Sequence, residues 1–315
     1  MSHEVETMAY AGELPWHGLG EKVSNDLTTD QMLVKAGLDW SVHEVESYVD
    51  FQGDKIKTGQ KSLIRSSDQK VLTNVGKDWM PVQNQEAFDF FSEFVMSGDM
   101  EMHTAGSLWG GKIVWALAKI KESFDVFGED KVDSYLLFSN PHMYGKSINV
   151  RFTPIRVVCN NTLTLSLGQQ VENAVKIGHR SEFRPDSVKE TLGLASEKFA
   201  QYKEMAEFLG SKKYDMDSLI RYYNEVFPRT SGTANLQDPK TLHTCAKQAL
   251  DVIDIQPGAK FAQGSWWQAL NSVTYITDHV QGQNRDSRMG SNWFGRNQLR
   301  KVRAAEKAVE YASAS

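Results

Sequence analysis

An α+β fold, with an antiparallel, sheet-rich amino-terminal half carrying packed helices and a helix-rich carboxy-terminal half, is predicted by two changes of pattern along the chain. Short alternating or apolar runs, separated by turn residues, fill the first half. Beyond Gly178 the apolar residues recur at steps of three and four instead. No internal repeat, low-complexity tract or long linker interrupts either pattern, so residues 1–175 and 176–315 are expected to form two halves packed as one unit.

Each element has a local reason. The segment Pro15-Trp16-His17-Gly18-Leu19-Gly20 reads as a loop anchored by Trp16. Its glycines lack the third member and the preceding strand of a dinucleotide fingerprint. Thr28 and Gln31 have capping-box spacing before Met32, Leu33 and Ala36, and Gly37 can close that helix. Strands are expected at 41–49, at 61–66, at 70–75 after an Asp68-Gln69 turn, and at 79–82. Asn84 is placed to cap a helix whose inner face is Ala87, Phe90, Phe91, Phe94 and Val95, with Gly98 as its stop. His103 to Ile120 reads as two strands around Gly110-Gly111, a dipeptide suited to a tight hairpin. The strand run continues through a Glu129-Asp130 turn into Tyr135–Phe138. A polar turn centred on Gly145 then leads to a run in which Ile148, Val150 and Phe152 alternate with Asn149, Arg151 and Thr153. Pro154 ends that strand or lies on an edge.

In the second half, Ser187 and Glu190 make a capping box ahead of Val188, Leu192, Ala195, Phe199, Tyr202, Ala206 and Leu209. Further helices are expected over 217–227, over 240–255 and from near Ser265, and a last one through Leu299, Val302, Ala305 and Val309. The stretch RTSGTANLQDP between them is loop-like.

Composition bounds the function. With 40% hydrophobic and 10% aromatic residues the chain can build real cores, while a net charge of −5 excludes coating duplex DNA by bulk positive charge. Any nucleic-acid contact has to come from a local patch. Cys159 and Cys245 form no framework for disulfides or zinc, which suits a reducing compartment. The amino terminus has no signal-peptide core, and no run approaches the roughly 18 apolar residues of a membrane span. A cytoplasmic protein with no membrane partner is expected.

Local patches do exist. From Ser134 to Val171 there is no Asp or Glu, while Lys146, Arg151 and Arg156 fall inside that stretch. Lys112, after the Gly110-Gly111 turn, completes a set that could track phosphates. From 283 to 307, Arg285, Arg288, Arg296, Arg300, Lys301, Arg303 and Lys307 face only Asp286 and Glu306. Trp109, Tyr144 and Trp293 are candidate stacking faces for unpaired bases. The plainer reading of the tail is a solvated helix face with a basic end that complements the helix dipole.

Catalytic motifs are missing. Gly145-Lys146-Ser147 invites a phosphate-loop reading, but the motif's first glycine would fall on Asn140, and the residues after Ser147 alternate as a strand. No HExxH, GxSxG or CxxC occurs, so no catalytic residue, metal or cofactor is expected. A dispersed enzymatic site would have to draw on His17, His142 or His279 with a carboxylate such as Asp278.

Three segments resemble a known family. They are Trp16-His17-Gly18-Leu19-Gly20, then Phe152 to Leu163 with Asn160-Asn161, and Trp267 to Thr274 followed by Asp278-His279. Together they resemble the phage/plasmid-like family built on the domain of unknown function 932. Tyr275-Ile276-Thr277 depart from its pattern, where an acidic residue and a tyrosine or valine are expected. The resemblance implies a mobile-element setting and marks Trp16, His17, Asn161, Asp278 and His279 as motif positions, without assigning a chemistry. The expected function is non-catalytic binding of single-stranded nucleic acid by a homo-oligomer, as an annealing or recombination accessory. An inhibitor or decoy acting on a host defence protein, and the dispersed-site enzyme, are the alternatives.

Overall fold

The computed structural model describes residues 5–12, 19–128, 130–156, 161–162, 174–184, 186, 195–228, 242, 244–282 and 285–315. Among them β1 (Val5–Ala11) and β2 (Glu21–Val23) precede α1 (Thr29–Lys35), followed by β3 (Val42–Phe51), β4 (Asp54–Arg65) and β5 (Val71–Gly76). Next come α2 (Asn84–Met96), β6 (Met100–Leu108), β7 (Ile113–Val126), β8 (Asp130–Pro141), β9 (Ile148–Arg156), β10 (Asn161–Thr162) and β11 (Ala174–Ile177). The later helices are α3 (Ala195–Ser211), α4 (Met216–Val226), α5 (Thr244–Asp251), α6 (Trp266–Tyr275), α7 (Arg285–Phe294) and α8 (Arg296–Ala314). The protein is therefore α+β, with its sheets in the first half and helices concentrated towards the carboxy terminus.

One sheet has the order β10-β9-β8-β7-β6-β1-β2, with β11 also on β9, and a second is β3-β4-β5. The chain divides into two compact units. The first comprises 1–121, 135–152 and 174–193, and the second 122–134, 153–173 and 194–315.

In the first unit the turn chemistry sets the strand register. Gly110 and Gly111 both have positive φ and close the β6–β7 hairpin, which runs from Leu108↔Ile113 to Met100↔Ile120. Gln69, also at positive φ, turns β4 into β5. The capping box of α1 is present: Thr28 Oγ1 accepts from the Gln31 N–H, and Gln31 Oε1 accepts from the Thr28 N–H. Helix α2 buries Ala87, Phe88, Phe90 and Phe91, and Phe90 meets Phe138 of β8 at 5.4 Å between ring centroids.

Several expectations are corrected. Trp79–Val82 is not a strand; residues 77–83 form a link without regular structure between β5 and α2. Gln83, not Asn84, precedes the helix, and its N–H donates to Glu86. Asn84 is buried and spends its amide on the Leu38 and Trp40 carbonyls. The strand β1 has no local signature because its partner β6 lies about a hundred residues away, with Tyr10 opposite Thr104.

The second unit is built around α6, which is buried on every side from Trp266 to Thr274. Ser265 caps it by accepting from the Gln268 N–H. Its two tryptophans sit in an aromatic cluster: Trp266 lies 5.2 Å from Tyr311, stacked, and Trp267 meets Tyr202 at 6.1 Å. Helix α7 is an addition to the expected elements, and among the described residues of the helix expected over 240–255, 244–251 form α5 and 252–255 are turn. The Ser187–Glu190 capping box and the RTSGTANLQDP stretch lie outside the described residues.

Candidate functional site

The candidate site is assembled from three turns of the first unit. In the β6–β7 turn Trp109, Gly110 and Gly111 all take positive φ (54°, 67° and 85°). Only glycine adopts this region without cost, so Trp109 is held there by its surroundings. The turn after β4 lies against them. A Cβ on Gly110 would stand 2.1 Å from the Lys70 Nζ, and one on Gly111 would stand 2.7 Å from the Arg65 Nη1. Arg65 lies 5.4 Å from the centre of the Trp40 ring and holds Glu6 through two hydrogen bonds and Asp68 through two more. Those contacts hold the Asp68 carboxyl well below the usual range and raise the guanidinium further above neutrality.

The third turn is the one centred on Gly145, at φ 79°. The His142 N–H donates to the Lys112 carbonyl at 2.8 Å, which brings Lys112 and Lys146 to the same end of the unit. Tyr144 stands between them in sequence and is 70% exposed. Lys70 and Lys146 are exposed and Lys112 is half-buried, and none of the three has an ion-pair partner among the described residues. Arg65 and Lys70 offset Glu6 and Asp68, so Lys112 and Lys146 carry the net positive charge. Ser147 leads directly into β9, not into the helix a phosphate loop requires.

Beneath this tip His142 is fully buried. Its Nε2 is 2.9 Å from the Asn84 Oδ1, and its ring meets Trp40 edge-on at 5.4 Å. Burial, and after it the charge of His179, pushes its pKa down from 6.5 to about 3. Between those values the unfolded chain holds a proton that the folded chain excludes. The stability associated with this residue is therefore complete above about pH 6.5 and is lost as the pH falls towards 3. Urea midpoints measured from pH 7 to pH 4 are expected to track a loss of up to ~1.4 kcal/mol per pH unit from this residue. In a His142→Gln variant, which can still donate to Asn84, the slope is expected to fall by about one proton. An unchanged slope would place the proton on another group.

The other expected residues are spread over both units. Arg151, on β9 opposite Ala174 of β11, is half-buried, and burial pushes its pKa down to about 10. Arg156 belongs to the second unit, at the end of β9 opposite Asn161. Trp16 and His17 lie outside the described residues, and Arg285 is the first residue of α7.

The remaining arginine-rich residues surround a feature of the second unit. Helix α6 continues into a π-helical turn, Ile276–Val280, which contains Asp278 and His279. Arg288 donates to the carbonyls of His279 and Gln281, Arg300 donates to the Gln281 side chain, and Asn297 donates to the Thr277 carbonyl. Asp278 pairs with Lys301 at 2.8 Å, with both side chains out of solvent. The His279 ring lies 5.0 Å from Tyr275, and Arg296 is exposed at the start of α8. Trp293 is a correction. It is only 3% exposed, with its ring 6.1 Å from Phe294, so it presents no face for a base.

The family model for the domain of unknown function (DUF932) matches residues 71–312. The chain belongs to the DUF932 family. Its DUF932 segment begins with β5 and runs through α8, so it holds Lys112, Tyr144, Lys146 and the Asp278–Lys301 pair, while Glu6, Trp40 and Arg65 precede it. No curated protein and no solved structure matches the chain. No helix among the described residues is long and apolar enough to cross a membrane.

Sequence reasoning missed Lys70, Arg65 and the pairing of Lys301. For Lys301 a signal was present. It falls on the helical stripe Asn297, Lys301, Ala304, Ala305, Ala308 and Ala312, and a cation on an otherwise small and apolar stripe calls for a buried carboxylate.

Proposed function

We propose that this DUF932 protein binds single-stranded nucleic acid through the paired hairpin tips of its first unit, without covalent chemistry. The phage or plasmid setting that the resemblance implies makes an annealing or recombination accessory the fitting role. The observation that supports the reading is the pairing of the Lys112 and Lys146 turns through the His142 N–H, with Tyr144 exposed beside them. Two cations and an aromatic ring on turns joined by a backbone hydrogen bond match what a flexible strand offers, which is phosphates at short intervals and base faces. So small a patch gives weak binding alone, and several copies on one strand would add through avidity, which is why a homo-oligomer belongs to the proposal. The Asp278–Lys301 pair is not part of it.

Fluorescence anisotropy with a labelled oligonucleotide, titrated with salt, tests the proposal. Binding is expected to weaken steeply with salt, and a Lys70, Lys112 and Lys146 triple alanine variant is expected to lose about 1.4 units of the log–log salt slope, at about 0.7 for each of the two phosphate contacts of Lys112 and Lys146. Tyr144→Ala is expected to cost about 1–3 kcal/mol if a base stacks there. Equal affinity in the parent and the triple variant, or no binding at low salt, would rule out the tips as the interface.

A further inference from the structure

The nucleic-acid reading leaves unused a long hairpin of the first unit. Strands β3 and β4 are joined by Gln52 and Gly53, both at positive φ (53° and 92°), which close a two-residue turn between the paired Phe51 and Asp54. Strand β5 pairs β4 only from Gln60 to Ile64. Residues 47–59 therefore run on beyond the sheet as a two-stranded arm, and a lone pair of strands with neither face covered is marginal in water.

The register sorts the side chains onto two faces, because residues opposite each other share a face and neighbours along a strand alternate. One face carries acids on β3 and lysines on β4 that answer each other: Lys57 and Lys61 pair with Glu46 and Glu44, and Asp50 lies opposite Lys55. At the root of the arm this face turns inward and buries Val42, Leu63 and Val75. The other face is apolar and open. Val45, Val49, Phe51, Ile56 and Val71 lie on it and are between 46% and 59% exposed. Ser62 on the same face is hydrogen-bonded to Ser47 and Asn74, so its polar groups answer one another. Among the described residues of these three strands, Asp54 at the tip is the only Asp, Glu, Lys or Arg on this face, and His43 stands at its root.

We infer that this face docks against the same face of a second copy of the chain, with the two arms antiparallel across a two-fold axis. A face that meets itself has to be free of like charge along its middle, and this one is. Tip and root lie about 27 Å apart along β3 at ~3.4 Å per residue, and the axis lays the tip of each arm over the root of the other. Asp54 of one copy then meets His43 of the other, twice over, whereas parallel arms would set Asp54 against Asp54. Nucleic acid needs cations and a lipid surface needs a basic rim, and this face supplies neither. It offers roughly half the 20–30 residues a side of a standard interface, so the association is reversible. The inference rests on the nucleic-acid reading only for its purpose, the contact between copies that avidity along one strand uses.

Sedimentation equilibrium on the full chain, without nucleic acid and across micromolar concentrations, tests the inference. The parent is expected to form dimers. Val49→Lys with Phe51→Lys, which sets like charges against each other across the axis, is expected to weaken the association about tenfold or more while leaving the far-ultraviolet spectrum unchanged. The ends are tested by charge: Asp54→Lys and His43→Glu are each expected to weaken the dimer, and the two together, which restore opposite charges, to return it to within about threefold of the parent. Tip and root are too far apart within one arm for that rescue to arise inside a single copy. A parent that stays monomeric, dimers that survive the lysine pair, or a double charge variant no better than the weaker single one overturns the inference. Should the lysine pair lose its fold, the charge set decides. With no nucleic acid present, failure here leaves the binding by the Lys112 and Lys146 turns untouched, and failure of oligonucleotide binding leaves this interface standing.

Discussion

Lys301→Ala is expected to cost about 3–5 kcal/mol of stability, because it strands the Asp278 carboxylate in a site with no solvent. Lys301 and Asp278 are 2% and 0% exposed and 2.8 Å apart. A buried pair adds little over a well-packed apolar pair, since its attraction roughly repays its desolvation, but removing one partner leaves the other's desolvation unrepaid. The double variant Lys301→Met, Asp278→Leu is therefore expected to recover to within about 1 kcal/mol of the parent or to exceed it. Urea denaturation followed by circular dichroism on all three chains tests this. A double variant no more stable than Lys301→Ala alone would show that the pair does more than neutralise itself, for instance by holding the π-helical turn in shape.

That pair also shows where sequence reading stops. Elements specified by neighbouring residues were legible: the Thr28/Gln31 box and the Gly110-Gly111 hairpin appear as their chemistry predicts, as do Ala87, Phe90 and Phe91 on the inner face of α2, although the fully buried Phe88 lay outside the expected face and Phe94 and Val95 are only half-buried. Features specified by distant residues were not. Asp278 and His279 stood out as a motif, but the lysine that gives Asp278 its environment is 23 residues away on another helix. Arg288 and Arg300, read as phosphate contacts from their composition, donate to backbone and side-chain oxygens around that turn. A run of arginines reports charge, while its use depends on which oxygens the fold brings within reach. The tip was half legible. Lys112 and Lys146 each sit directly after a recognisable turn glycine, but only the bond between the two turns puts them together, and Lys70 arrives from a third turn.

Gly106→Ala is expected to cost about 3 kcal/mol, at the upper end of what an inserted methyl group does to a packed interior. Gly106 lies in β6 between Met8 of β1 and Trp115 of β7. A Cβ there would come within 2.3 Å of the Thr7 carbonyl oxygen and 2.5 Å of the buried Trp115 ring. The ring could tilt, but the carbonyl belongs to the backbone of a paired strand and can retreat only by loosening the β1–β6 ladder. Gly145→Ala makes the contrast. Its φ is 79° and nothing lies within 4 Å of its Cβ, so only the strain of a left-handed alanine remains, about 1–2 kcal/mol. The two variants should also separate in binding. Loosening β6 moves the turn that carries Lys112 and should lower oligonucleotide affinity without touching a cation, whereas Gly145→Ala leaves β6 in place. Urea midpoints and anisotropy on the same preparations give both readings, and a Gly145→Ala chain less stable than Gly106→Ala would mean that the β1–β6–β7 ladder has room that its geometry denies.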